Sequence, residues 1–217
     1  TLFSELEGFP VSKLSYGMVT FSEDEGVRHS EELGLIPTGA WKDFFLLQRL
    51  IRKGAYMGEA EWPELFRVNL PGAESNGILA DCFRHTYFAS LLLELTRGAS
   101  STEIVEIGGG YGGLALQVDR LKLKGHRVRH LIVDLPESLL LSYWFLRMQG
   151  QQVSVVLEEE DFERVAEAGV VLVPDYLYEG VPWKADILFN SRSFSEMTKE
   201  TSSKYLRHAE EFLAPAS

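Results

Sequence analysis

Cysteine is nearly absent from the 217 residues: Cys82 stands alone, so neither an internal disulfide nor a cysteine-rich zinc site can form. Long apolar runs are missing too. The most hydrophobic stretches are interrupted, as at Leu91-Leu92-Leu93-Glu94, well short of the roughly 20 residues a membrane span needs. Basic residues are few, 21 against 32 acidic ones, for a net charge of -11. A protein that binds a phosphate backbone needs clustered Lys and Arg, so nucleic acid is not an expected partner. Internal repeats, low-complexity tracts and a signal-peptide pattern are also lacking, and the expectation is a cytoplasmic protein. His, Asp and Glu do not cluster at metal-ligand spacing, so no metal is expected. The acidic runs at 23–32 and 158–161 read as solvated faces.

What is present is an ordinary globular mixture, 45% hydrophobic and 24% charged, enough for one large or two small domains. The first hundred residues read as helices and loops. An apolar stripe through Trp41, Phe44, Phe45, Leu47, Leu50 and Ile51 predicts a helix over 40–53, stopped by Gly54. A loop is expected over 58–77. A second helix, about 79–97, ends at Gly98. From residue 102 the pattern alternates. Strands are expected at 103–107, 128–134, 153–157, 170–174 and 185–190, with helices after the first, the second and the last. Pro136 suits the first position of the helix reaching Met148, and a capping box at Ser193–Glu196 predicts a final helix over 195–213. Repeated strand–helix–strand units imply a parallel sheet with helices on both faces, ordered 3-2-1-4. The expected fold is therefore α/β, a doubly wound Rossmann-like domain at 78–217 behind a helical and loop segment at 1–77 that covers the active-site edge. Ile187, Leu188 and Phe189 are too apolar for an open edge. The expectation is that further strands follow Ser217 or that another chain covers this edge.

The strongest local signal is Glu106-Ile107-Gly108-Gly109-Gly110-Tyr111-Gly112-Gly113, set between a strand and a helix where nucleotide-type cofactors sit. It fits two templates. Gly108, Gly110 and Gly113 satisfy the dinucleotide pattern G-x-G-x-x-G. Glu106, Gly108, Gly110 and Gly112 satisfy E-x-G-x-G-x-G, the pattern of class I S-adenosylmethionine-dependent methyltransferases. Glu106 breaks the tie, because an acidic group there repels a pyrophosphate and suits a cationic sulfonium and ammonium. Asp134 ends the second strand, 26 residues after Gly108, and can accept hydrogen bonds from both ribose hydroxyls. Tyr111 in the glycine run and Leu135 after Asp134 complete the candidate cofactor-binding set there. Asn190, at the end of the late strand, faces either the cofactor or the acceptor, or else forms a turn.

Taken together, the segments 103–115 (EIVEIGGGYGGLA), 131–145 (LIVDLPESLLLSYWF) and 186–197 (DILFNSRSFSEM) resemble the three hallmark blocks of sugar O-methyltransferases, and Arg84-His85-x-Tyr87 resembles a further feature of that group. The resemblance covers residues 80 to 213. It implies a class I methyltransferase fold, S-adenosylmethionine as methyl donor and a sugar hydroxyl, on a small molecule or a glycan, as acceptor. His85 is the first candidate for the base that takes the hydroxyl proton and Glu196 the second, although Glu196 also fits a capping role. Arg84 is a candidate partner for the cofactor carboxylate. A nicotinamide-dependent oxidoreductase and an inactive, cofactor-binding partner subunit are the rival readings, and a homo-oligomer is compatible with all three.

Overall fold

The computed structural model describes residues 20–21, 67–69, 77–79, 81–165 and 169–213. The helix expected over 40–53 lies outside them. The chain divides into two compact units, residues 1–95 with 116–123 and residues 96–115 with 124–217.

In the first unit, three short strands, β1 (Thr20–Phe21), β2 (Arg67–Val68) and β3 (Gly77–Leu79), form an antiparallel sheet in the order β1-β3-β2. The sequence reading placed only helix and loop here. Strands of two or three residues are too short to show the alternation by which strands are recognised. The helix expected at 79–97 is α1 (Cys82–Leu95). Its stop is the expected one: Gly98 adopts φ +92°, a left-handed conformation that favours glycine. Cys82 is buried in α1, and burial pushes its thiol far above the usual range, which leaves it protonated and unreactive.

The second unit is a five-stranded, wholly parallel sheet built from β4 (Ser101–Ile107), β5 (Arg127–Asp134), β6 (Val153–Val155), β7 (Val170–Pro174) and β8 (Ile187–Phe189). Their order is β6-β7-β5-β4-β8. The expected 3-2-1-4 arrangement is present as β7-β5-β4-β8, with β6 added outside. Between strands run α2 (Gly113–Leu121), α3 (Pro136–Met148), the short α4 (Asp161–Arg164) and a 3-10 helix at Asp175–Gly180; α5 (Lys199–Phe212) follows β8. On one face Val105, Ile107, Leu131, Val133, Val171 and Val173 form a core with Phe162, Tyr178, Tyr205 and Ala209, so that α5 buries positions four apart. The helix α3 packs on β5, β6 and β7 and buries Leu139, Ser142, Phe145 and Leu146, none of them part of that core. The sheet is thus doubly wound.

The late boundaries differ from those expected. β8 is only three residues long, and its side chains are half-buried, with Leu188 packed against the core. Beside it, Leu213 leaves α5 in an extended conformation and forms a parallel bridge with Ala185. The final helix begins at Lys199 and not at Ser195. Its cap is Thr198, whose hydroxyl accepts a hydrogen bond from the Thr201 amide at 3.1 Å. The capping box read at Ser193–Glu196 is therefore corrected: Ser193–Ser195 is a separate 3-10 turn that Glu196 terminates. Thr198→Ala is expected to lower stability by about 1 kcal/mol, the usual cost of losing such a cap, as read from urea unfolding.

Candidate functional site

The site lies at the carboxyl ends of β4, β5 and β8, where a parallel sheet presents its strand ends to a ligand. β4 runs into the glycine loop 108–112. The Gly108 amide donates to the Val133 carbonyl at 2.8 Å, which holds the loop against the end of β5. Gly108, Gly110 and Gly112 adopt φ values of +74°, +57° and +86°. These are the three glycines of the E-x-G-x-G-x-G template. The position peculiar to it is Gly112, where a Cβ would also stand 2.7 Å from Leu146 of α3. The dinucleotide template makes no demand at that position. At Gly110 an added Cβ would meet no atom of the described residues within 4 Å, so among them the loop is open on the side where a ligand can approach its backbone.

Asp134 stands beside this opening. Its Oδ2 accepts from the Gly110 amide at 2.9 Å and its Oδ1 from the Leu135 amide at 2.8 Å. Burial raises its pKa above the ordinary Asp value, opposed by hydrogen bonds from Gly110, Leu135 and Ser138, and the nearby Glu106 carboxylate raises it further. Leu135, half exposed, is the cap residue of α3, with Pro136 at its first position, so Asp134 is not consumed as a cap. The Gly110 carbonyl is held by the Ser142 hydroxyl of α3. Tyr111 is buried, its ring packed edge-on against Phe145 at 4.9 Å. It anchors the loop on α3.

Glu106 is 4% exposed and lies under the loop, its carboxylate 3.2 Å from where a Gly109 Cβ would be. It faces His130 of β5, Nε2 to Oε2, at 3.0 Å. Asn190 fastens the turn after β8 to the end of β4. Its Nδ2 donates to the Ile107 carbonyl at 2.9 Å and to the Ser193 hydroxyl at 2.5 Å, and Ser193 donates to the same carbonyl at 3.0 Å. These contacts, with Oδ1 accepting from the Phe194 amide at 3.4 Å, are those of the turn-forming alternative raised for Asn190. Glu196 is exposed two residues before Thr198. Tyr205 of α5 was not singled out from the sequence. Burial, then Asp175 and Asp134, push its phenol up to about 12, so it lies within the field of the Asp134 carboxylate.

The structure brings Glu106, Gly108, Gly110, Tyr111, Gly112, Asp134, Leu135 and Asn190 together in one unit. Arg84 and His85 belong to the other unit, on the first turn of α1. Arg84 pairs with Asp81 at 2.5 Å, three residues before it. Burial, and then the adjacent Arg84 guanidinium, lower the His85 pKa to about 3. Its imidazole is neutral at any ordinary pH and a weak proton acceptor. His130, in the middle of an expected strand, and Ser142 carry no motif in the sequence, and Ser193 reads there only as a helix cap. Only a spatial arrangement could reveal their roles, because their partners Glu106, Gly110 and Ile107 lie 24, 32 and 86 positions away. Among the described residues no group of three His, Cys, Asp or Glu side chains is placed to hold a metal ion, and no helix is long and apolar enough to cross a membrane.

No protein-family model matches the chain, and neither does any curated protein. Among solved structures, similar ones include an O-methyltransferase from Bacillus cereus in complex with SAH (13% identity, 87% of this chain and 67% of that one, TM-score 0.37). A candidate O-methyltransferase from Klebsiella pneumoniae has 16% identity, the same two coverages and a TM-score of 0.39. A candidate S-adenosyl-L-methionine-dependent methyltransferase from Methanococcus maripaludis has 13% identity over 58% of this chain and 50% of its own, with a TM-score of 0.36. The chain thus spans half the length of the Methanococcus protein and 67% of each of the other two. At these identities and scores the likeness assigns no role to any residue here.

Proposed function

We propose that this chain binds S-adenosylmethionine and transfers its methyl group to an acceptor oxygen, a sugar hydroxyl by the resemblance of its three sequence blocks. The observation that carries the reading is the conformation of Gly108, Gly110 and Gly112, all left-handed, with Asp134 fixed beside Gly110 at the end of the next strand. That arrangement fits the donor. Asp134 would accept from the ribose hydroxyls, the open Gly110 backbone lets the ligand approach, and Glu106 places negative charge beneath the loop. The donor, when bound, supplies a methyl carbon on a sulfonium: the acceptor oxygen bonds to that carbon as the carbon–sulfur bond breaks, and the hydroxyl proton leaves. The chain's part is to hold the hydroxyl in line and receive that proton.

His85 remains the first candidate for the base, and its lowered pKa limits what it can contribute. His85→Ala is expected to reduce turnover by about 10²-fold, the low end of the range for general-base catalysis, and to leave affinity for S-adenosylhomocysteine unchanged. The same lowered pKa predicts no loss of turnover on the acid side near the ordinary histidine value. A rate untouched by the substitution passes the role to Glu196, and one that falls near the ordinary histidine value contradicts the lowered pKa of His85. A second reading, a chain that binds donor without turning it over, draws on the same observation. Production of S-adenosylhomocysteine against a panel of free sugars, glycosides and glycans tests both. Acceptor-dependent product supports methyl transfer; donor binding with no product on any acceptor supports the inactive partner.

A further inference from the structure

The pair beneath the loop has chemistry that the donor reading does not use up. In the parallel register of β4 and β5, Ile104 lies opposite His130 and Glu106 opposite Ile132, so Glu106 and His130 are diagonal neighbours on one face of the sheet. Their side chains are 5% and 2% exposed. The His130 Nε2 reaches Oε2 of Glu106 at 3.0 Å, while Nδ1 is buried and no group among the described residues hydrogen-bonds to it.

That unpaired nitrogen fixes the protons. A buried N–H without an acceptor is rarer and costlier than an unpaired lone pair. Nδ1 is therefore the bare nitrogen and Nε2 carries the hydrogen, which it donates to Glu106. The alternatives, an imidazolium or a protonated carboxyl facing Nε2, would each bury an unpaired Nδ1–H. The result is a carboxylate with its negative charge kept, oriented by a neutral imidazole and overlaid by Gly109, where a side chain would come within 3.2 Å of it. Asp134, the other acidic group in its field, adds to the negative potential.

We propose that Glu106 and His130 together form a charge sensor for the ligand of this loop. His130 is a positioning residue that holds Glu106 as an anion, and the anion favours a sulfonium ligand over the neutral thioether left after methyl transfer. The inference rests on the donor reading. Its consequence is a site that binds donor in preference to spent product and so resists product inhibition. A unit charge roughly 10 Å from another, at an effective dielectric of about 20, changes affinity by a factor of about ten.

The test is titration calorimetry of S-adenosylmethionine and S-adenosylhomocysteine with the wild-type chain, Glu106→Gln, His130→Leu and His130→Gln. Glu106→Gln keeps shape and hydrogen bond but removes the charge, and should lower the ratio of donor to product affinity by about tenfold. His130→Leu should lower it similarly, whereas His130→Gln, whose amide can donate from near the position of Nε2, should restore it. Nitrogen-15 spectra of the wild-type chain give a readout that does not depend on a variant's folding. They should show a protonated Nε2 and a bare Nδ1 at His130. A ratio unchanged in folded Glu106→Gln overturns the proposal, as does a proton on Nδ1. A wild-type chain that binds neither ligand sinks the donor reading itself, and the sensor with it, even if the imidazole signals are as expected.

Discussion

Gly108→Ala is expected to lower stability by roughly 2–5 kcal/mol, from about 1–2 kcal/mol for a left-handed alanine and about 1–3 kcal/mol for overpacking. An added Cβ would lie 2.3 Å from the Cβ of Ser193 and 2.2 Å from its hydroxyl. Rotating the serine relieves only the second contact and breaks the hydroxyl's bonds with Asn190 and the Ile107 carbonyl, while its Cβ stays fixed to a backbone whose carbonyl accepts from the Glu196 amide at 3.0 Å. The loop or the turn after β8 must move, and donor binding should be lost with either. Gly110→Ala is the control. It has the same sign of φ but nothing among the described residues within 4 Å of the new atom, so only the conformational cost of about 1–2 kcal/mol applies. Urea unfolding of both variants separates strain from collision. Equal losses would show that the Ser193 contact does not constrain the loop.

Asp134→Ala is expected to weaken S-adenosylhomocysteine binding by about 1.5–3 kcal/mol, or roughly tenfold to 150-fold, the scale of hydrogen bonds to a charged group. The pH dependence carries its own sign. Burial raises the folded-state pKa of Asp134, so its contribution to stability is full below the unfolded pKa and is lost as pH rises through the folded value. Ligand binding runs the other way, since only the carboxylate accepts from both hydroxyls. Affinity should therefore fall with acid at a higher pH than an exposed Asp would dictate. Asp134→Asn should abolish that acid limb and bind ligand more weakly at neutral pH, because its amide keeps only one of the two acceptor oxygens that the Gly110 and Leu135 amides use. Full affinity in folded Asp134→Ala would remove this residue from the site.

Much of the fold was legible because it is written locally. The β-branched runs at 128–134 and 170–174 and the proline that opens α3 lie where the patterns placed them, and the glycine run marks the loop between β4 and α2. The template choice also rested on local residues, and the left-handed glycines at 108, 110 and 112 agree with it. What escaped was cooperative. The start of α5 shifted to Thr198 because Ser193, which reads as a cap in sequence, is drawn instead to the Ile107 carbonyl 86 positions away. His130 reads as a core histidine, and its meaning depends on the diagonal across two parallel strands. The short strands of the first unit carried no periodicity to detect, and the weak basicity of His85 arises from burial, which no motif records.

The central claim is that the loop at 108–112 takes S-adenosylmethionine and not a dinucleotide. Parallel titration of the wild-type chain with S-adenosylhomocysteine and with NAD tests it most directly, because both templates share Gly108 and Gly110 and diverge in ligand. Binding of S-adenosylhomocysteine, weakened in Asp134→Ala, with no heat from NAD is the predicted result. Saturable binding of NAD, with none of S-adenosylhomocysteine, would contradict it.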